Sequence, residues 1–240
     1  MTIPLHSLKY RATIWVSTRP TLYYGLRRLT GRFDKLCVTK NTDIVIEGYP
    51  RSANSTTAHG FIDRQVGDIR LAHHKHHVAQ LLQAARKGLP AVVLIRKPAT
   101  AMLSNLALVE EARYRGEDRP EKPLSFSDVA FSWLMFYETL EPYLDKIVIA
   151  PFDEVTQDLK PMIEDVNATF GTEFQSESTA AAKSTELGWH ARPNEKRDEI
   201  KDGLRHDFDA ALEANAGLRN LMKRCDQVHQ RYLEIHARRR

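Results

Sequence analysis

The segment Gly48-Tyr-Pro-Arg-Ser-Ala-Asn-Ser55 gathers residue types that hold an anion. It follows a short apolar run, Ile44–Glu47, and leads into a stretch, Ser55–Gln65, that can open a helix. Backbone N–H groups at a helix start converge on an anion, and the helix dipole favours negative charge there. Ser52, Asn54, Ser55 and Thr56 can add side-chain hydrogen bonds, and Arg51 adds a positive charge. The outline is that of a Walker A loop. The Gly-Lys that such loops place before the closing hydroxyl is here Ala53-Asn54, which weakens any hold on a γ-phosphate and its Mg²⁺. A turn that merely caps a helix needs one polar residue, whereas this loop offers four and an arginine.

A second cradle is legible at Val92–Ser104. Arg96 ends an apolar run and Ser104 lies eight residues on, two turns into the helix that Pro98 can start. A guanidinium fork matches a phosphate, and a hydroxyl on the same side of the next helix completes the grip. By itself the pair has an alternative reading: Arg96 bound to a carboxylate and Ser104 to its own backbone. The third cluster is His73-His-Lys-His-His77, four of the ten histidines. A neutral imidazole near pH 7 can accept a proton from a hydroxyl. His74 with His77, or His73 with His77, also has helical ligand spacing. No acidic or cysteine ligand adjoins them, and zinc generally takes three protein ligands, so no metal is expected. Solvated histidines at a bend are the plain alternative.

The elements that must position these residues alternate between strand and helix. Ile44–Glu47, Ile69–Ala72, Ala91–Ile95 and Ile147–Ala150 read as short buried strands. Helices are expected at Ser55–Gln65, at Val78–Lys87 with Gly88 as its stop, from Pro98 to about Arg113, and at Asp158–Phe170 with Gly171 as its stop. Ser125 and Asp128 form a capping-box signature for the helix of Trp133 and Tyr137. Residues 115–123 read as an exposed loop, 175–200 as irregular, and Asp207–Ala237 as one long helix. The pattern predicts a single α/β domain, with a mainly parallel sheet flanked by helices on both faces. Ligands on such sheets bind beyond the carboxyl ends of the strands, where all three clusters fall. The 240 residues divide into a basic arm (1–40), a core (41–174) and a C-terminal cap and helix (175–240).

Taken in order, Tyr49-Pro-Arg-Ser-Ala-Asn-Ser-Thr56 and the Arg96–Ser104 pair resemble the sulfotransferases that use 3′-phosphoadenosine-5′-phosphosulfate (PAPS). The family's usual loop reads Tyr-Pro-Lys-Ser-Gly-Thr-Thr. Arg51 stands at the lysine position, as in bacterial members, and Ala53 departs from the glycine. The likeness extends through Ile147–Glu154 and Asp165–Thr172, so it spans about residues 44–174. It implies a P-loop-like three-layer fold and a loop, Arg51, Ser52, Ala53, Asn54, Ser55 and Thr56, around the 5′-phosphosulfate. It implies that Arg96 and Ser104 hold the 3′-phosphate. By count back from Arg96 it makes His74 the general base, with His73 and His76 close behind, and lets Lys75 help hold the sulfonate. It implies that Arg197 or Lys201 closes over the nucleotide. PAPS would be the co-substrate, 3′,5′-adenosine bisphosphate the product, and a small-molecule, glycan or lipid hydroxyl the acceptor, with no metal. The rival readings are a P-loop kinase for a small molecule and a non-catalytic module that binds anions or membranes.

Composition sets the outer bounds. An apolar fraction of 42% and a charged fraction of 28% are ordinary for a globular chain. The net charge of +4 is uneven: residues 1–40 hold eight basic residues against Asp34 alone, giving +7, and the rest sums to −3. Mixed with Tyr10, Trp15, Tyr23, Tyr24 and Phe33, that arm could meet a membrane surface, nucleic acid or an anionic substrate. Its simpler reading is a helical arm packed on the domain, and peripheral membrane contact rather than nucleic acid is the partner expected. Cys37 and Cys225 form no framework, and no secretory signal or spanning segment is legible, so a cytoplasmic protein is expected. The acceptor pocket is expected from residues 113–125, the Trp133 helix and residues 175–200, where Trp189 and His190 could stack on a sugar.

Overall fold

The computed structural model describes residues 4–116, 124–178 and 194–240. Four parallel strands run in the order β2-β1-β3-β4: β1 (Ile44–Gly48), β2 (Leu71–Ala72), β3 (Ala91–Ile95) and β4 (Val148–Pro151). Register pairs Val45 with Ala91, Gly48 with Leu94, and Ile95 with Pro151, so the carboxyl ends of β1, β3 and β4 share one edge. All five residues of β1 and of β3 are buried, as expected of strands covered on both faces.

Side chains alternate between two cores. Val45, Val93, Ile95 and Ile149 face helices α2 (Pro20–Leu29), α4 (Ala79–Lys87), α5 (Pro98–Tyr114), α6 (Phe126–Leu140) and α10 (Ala216–Arg239). Ile44, Ile46, Val92, Leu94 and Val148 face α3 (Asn54–Ile62) and α8 (Lys160–Phe170). The result is one α/β domain with helices on both faces of the sheet. Helix α1 (Leu5–Ser17) packs on α6: Ser7 and Arg11 both donate to Asp128, at 2.7 and 2.8 Å, and Tyr10 donates to Ser132. Asp128 also completes the capping box of Ser125, so one buried carboxylate joins two helices. Tyr23 and Tyr24 of α2 and Tyr232 of α10 lie in the core, so both helices are built into the domain.

Several boundaries differ from the expectation. The strand expected at Ile69–Ala72 is a two-residue edge, Leu71–Ala72. The helix expected at Ser55–Gln65 starts one residue earlier and ends at Ile62. The single helix expected at Asp207–Ala237 is two: α9 (Glu195–Ala214) and α10. Asn215 makes the break, since it leaves helical geometry (φ −124°, ψ 100°) and its side chain accepts from the Leu218 N–H. A short polar residue favours such a cap over continuation of the helix. Helix α9 also begins inside the stretch expected to be irregular. Trp189, His190 and most of the 115–123 loop lie outside the described residues. Short α7 (Phe152–Val155) and a 3-10 turn (Glu141–Lys146) flank β4.

Candidate active site

The loop after β1 departs at Gly48, where backbone crowding demands glycine: a Cβ there would stand 2.5 Å from the Leu94 carbonyl oxygen. Tyr137 of α6 locks the departure. Its hydroxyl donates to Leu94 O at 2.8 Å and accepts from the Tyr49 N–H at 3.3 Å, tying the ends of β1 and β3 together. The chain then turns through Arg51 (φ 70°) and Ala53 (φ 68°), both in the left-handed region. The loop therefore keeps positive φ at Ala53, a conformation that favours glycine, with strain on the order of 1 kcal/mol or more for alanine.

Ala53 is the N-cap of α3 and offers no side-chain cap. The first helical bond is Thr57 N–H to Ala53 O, so the amides of residues 54–56 have no partner within the helix. They open onto a cavity of about 550 Å³ lined by Arg51, Ala53, Asn54, Ser55, Thr56, His74, Arg96, Ser104 and Arg197, among others. Ser52 lies elsewhere: it is wholly buried behind the loop, and its N–H donates to Tyr49 O. Asn54 lines the cavity while its amide group donates inward to Tyr49 O at 3.0 Å.

Three guanidinium groups meet here. Arg96 reaches from the end of β3 to the Arg51 carbonyl at 2.8 Å and lies 3.9 Å from the centroid of the Phe152 ring. Arg51 Nε donates to Ser104 Oγ at 3.0 Å, binding the loop to α5. The two anion cradles read from the sequence thus adjoin in one cavity. Arg197, near the start of α9, donates to buried Glu111 at 2.6 Å, and Asn194 and Arg115 bond the same carboxylate. Burial, with the charges of Arg197 and Arg96, pulls Arg51 down to about 10. The cavity thus concentrates positive charge, with Arg197 already neutralised in part by Glu111. Lys201 also lines the cavity.

The histidine loop is organised by a residue that sequence reasoning passed over. Glu47, fully buried at the end of β1, accepts the N–H of Lys75 at 3.1 Å and of His76 at 2.6 Å, one on each carboxyl oxygen. Positive φ at His74 (61°) and His76 (51°) bends the chain so that successive amides face this carboxyl. Burial pushes Glu47 up to about 8 against the opposing pull of those amides. The available signal was an acid ending the apolar run Ile44-Val-Ile-Glu47.

The four histidines separate by role. His73 is buried away from the cavity and held down to about 3 by burial and its histidine neighbours. His74 Nε2 is 2.8 Å from Ser55 Oγ, so it attends the anion loop. His77 packs edge-on to Tyr23. His76 lines both the anion cavity and a second cavity of about 540 Å³. Its Nδ1 is 3.3 Å from Gly48 O. A carbonyl only accepts, so Nδ1 carries the proton and Nε2 the lone pair. Burial holds this ring down to about 4, hence neutral at pH 7. Lys75 pairs with Asp34 and lines neither cavity.

The second cavity shares Pro50, His76, Asn105 and Val109 with the first. Its remaining wall mixes the apolar and aromatic side chains of Tyr10 and Ile14 of α1, Tyr49, Leu124 and Phe136 with polar ones, among them His6, Lys9, His77 and Arg113, and the surface it presents is mostly apolar. Among the described residues, no group of three or more His, Cys, Asp or Glu side chains could hold a metal ion, and no helix is long and apolar enough to cross a membrane.

No protein-family model matches the chain, and no curated protein matches it. Among solved structures, it is similar to mouse sulfotransferase SULT7A1 complexed with PAP, at 12% identity and a TM-score of 0.40 over 78% of this chain and 90% of that one. A likeness of that size carries no functional argument, and the site's own geometry has to supply it.

Proposed function

We propose that the chain is a PAPS-dependent sulfotransferase whose acceptor carries its hydroxyl on a largely apolar body. One observation carries the reading: Arg51, Arg96 and the uncapped start of α3 converge on a single cavity that meets an apolar cavity at His76. Two adjoining cradles suit a nucleotide with phosphates at both its 3′ and 5′ positions. The 5′-phosphosulfate lies on residues 51–56 and the 3′-phosphate between Arg96 and Ser104. Cavities of this size are ordinary for a ligand of such dimensions.

In the reaction the acceptor oxygen attacks sulfur and the bond from sulfur to the bridging phosphate oxygen breaks. The acceptor proton passes to His76 Nε2. Sulfate ester and 3′,5′-adenosine bisphosphate leave. Charge gathers on the departing 5′-phosphate, where Arg51 and the α3 amides stand ready to bind it. His74, hydrogen-bonded to Ser55, lines the anion cavity beside the loop and is the alternative base. His76 is preferred as base because it alone of the four borders both cavities. The buried thiols of Cys37 and Cys225, both unpaired, suit a reducing cytoplasm.

The test is sulfuryl transfer from ³⁵S-labelled PAPS to a panel of hydrophobic alcohols and phenols. Transfer is expected from the wild type, with kcat reduced about 10²–10⁴-fold in His76→Ala and less in His74→Ala. Phosphoryl transfer from ATP in place of sulfuryl transfer would establish the kinase reading, and an inert chain that binds the bisphosphate would establish the non-catalytic one.

A further inference from the structure

Among the described residues, nine large apolar side chains are exposed, and six of them sit on α1 and α2: Leu5, Leu8, Trp15, Leu22, Leu26 and Leu29. Their spacing is regular. Leu5, Leu8 and Trp15 recur at i, i+3 and i+10 along α1, with Ala12 between, and Leu22, Leu26 and Leu29 at i, i+4 and i+7 along α2. Each set is a stripe on one side of its helix. The other sides are committed to the domain, through Ser7 and Tyr10 on α6 and through buried Tyr23 and Tyr24. These stripes are thus what remains once packing is complete.

Charge decides what covers them. Neither helix contains an acidic residue, while Lys9 on α1, Arg28 on α2, Arg19 between them and Arg32 just beyond are exposed. The Arg19 guanidinium lies 3.5 Å over the Trp15 ring, a pairing suited to the depth of lipid headgroups. A second copy of the chain would bring like charges together. A bilayer with anionic headgroups offers both an apolar layer for Leu and Trp and countercharge for Lys and Arg. We propose that α1 and α2 form a docking face for an anionic membrane surface, with both helices lying in the plane of the interface. The apolar cavity lies on the opposite side of α1, which lends it Tyr10 and Ile14. Docking would hold that cavity within about one helix diameter, roughly 10 Å, of the lipid.

The experiment is co-sedimentation of the full chain with vesicles of phosphatidylcholine alone and of phosphatidylcholine with phosphatidylserine, at low and high salt. Partitioning is expected to be about tenfold or more stronger on the anionic vesicles, to weaken with salt, and to shift Trp15 fluorescence to the blue. The pairs Leu8→Glu with Trp15→Glu and Leu22→Glu with Leu26→Glu should each abolish it while leaving unchanged the thermal shift caused by 3′,5′-adenosine bisphosphate. Far-UV circular dichroism and the unfolding midpoint of the free chain show that the variants are folded, and vesicle binding, which needs no nucleotide, is read independently of the sulfotransferase reading. Equal partitioning on both vesicle types would overturn the proposal. So would a concentration-dependent dimer that the same substitutions dissolve, since it would assign the face to a second copy, or tight binding to an acidic protein without affinity for vesicles.

Discussion

At the scale of single residues, the site holds strain where chemistry is expected. The non-glycine residues of positive φ among the described ones are Arg51, Ala53, His74 and His76, and all four lie in the two loops that meet at the anion cavity. Strain concentrated there is a mark of function because the surrounding packing must hold it in place. Ala53 gives the plainest consequence. Replacing it by glycine removes the left-handed penalty, so Ala53→Gly should stabilise the protein by about 0.5–1 kcal/mol in urea unfolding. A loss of stability would show that the loop does not take this turn. The meeting of Arg51, Arg96 and Ser104 was legible in the order and spacing of the two motifs taken together, and the structure brings the three side chains together. Two things were not. Positive φ at an alanine has no sequence signature, and which of the histidines borders both cavities shows only in the folded chain.

At the scale of elements, Glu47 is the template of the histidine loop. Replacing its carboxyl by an amide sets an NH₂ group against backbone donors. Glu47→Gln should therefore cost about 1–3 kcal/mol of stability and lower kcat, while the bisphosphate affinity, set by other elements, stays within a few-fold. An unchanged kcat would deny it the positioning role. The same loop dictates a pH profile. His73, His76 and His77 have folded values depressed from 6.5 to about 3, 4 and 4 by burial. The unfolded chain thus takes up more protons below 6.5, and stability falls as pH drops from there through 4. Glu47 is raised from 4.5 to about 8, so its contribution is full below 4.5 and fades as pH rises through 8. Between 4.5 and 6.5 three histidines outweigh one carboxyl, and above 6.5 the carboxyl acts alone. Thermal unfolding should show maximal stability between about pH 6 and 7, and a midpoint still rising at pH 8 would contradict this assignment. Strands β1 and β3 were legible because a buried parallel strand is a continuous apolar run. The break at Asn215 was missed because both flanks keep helical apolar spacing, and only the cap interrupts them.

At the scale of the whole molecule, the sheet brings together residues far apart in the chain. Register places Gly48 beside Leu94, and this pairing carries Arg51 to Arg96 and Ser104. Helix α9 adds Arg197 to the cavity through its buried bond to Glu111 of α5, and α1 walls the neighbouring apolar cavity. The alternation of strands and helices announced this architecture. The resemblance implied that Arg197 or Lys201 of the C-terminal segment lies at the nucleotide cavity, whereas α1 as a wall of the apolar cavity did not show in the sequence, since a helix's own pattern does not reveal what it packs against. The central claim is that one nucleotide bearing phosphates at both positions spans the adjoining cradles. Calorimetric titration of the intact chain with 3′,5′-adenosine bisphosphate tests it most directly. Binding is expected without added metal and in preference to AMP and ATP, weakened about 10–100-fold by Arg96→Ala and by Arg51→Ala alike. Binding that is absent, equal for AMP, or indifferent to Arg96→Ala would contradict the claim.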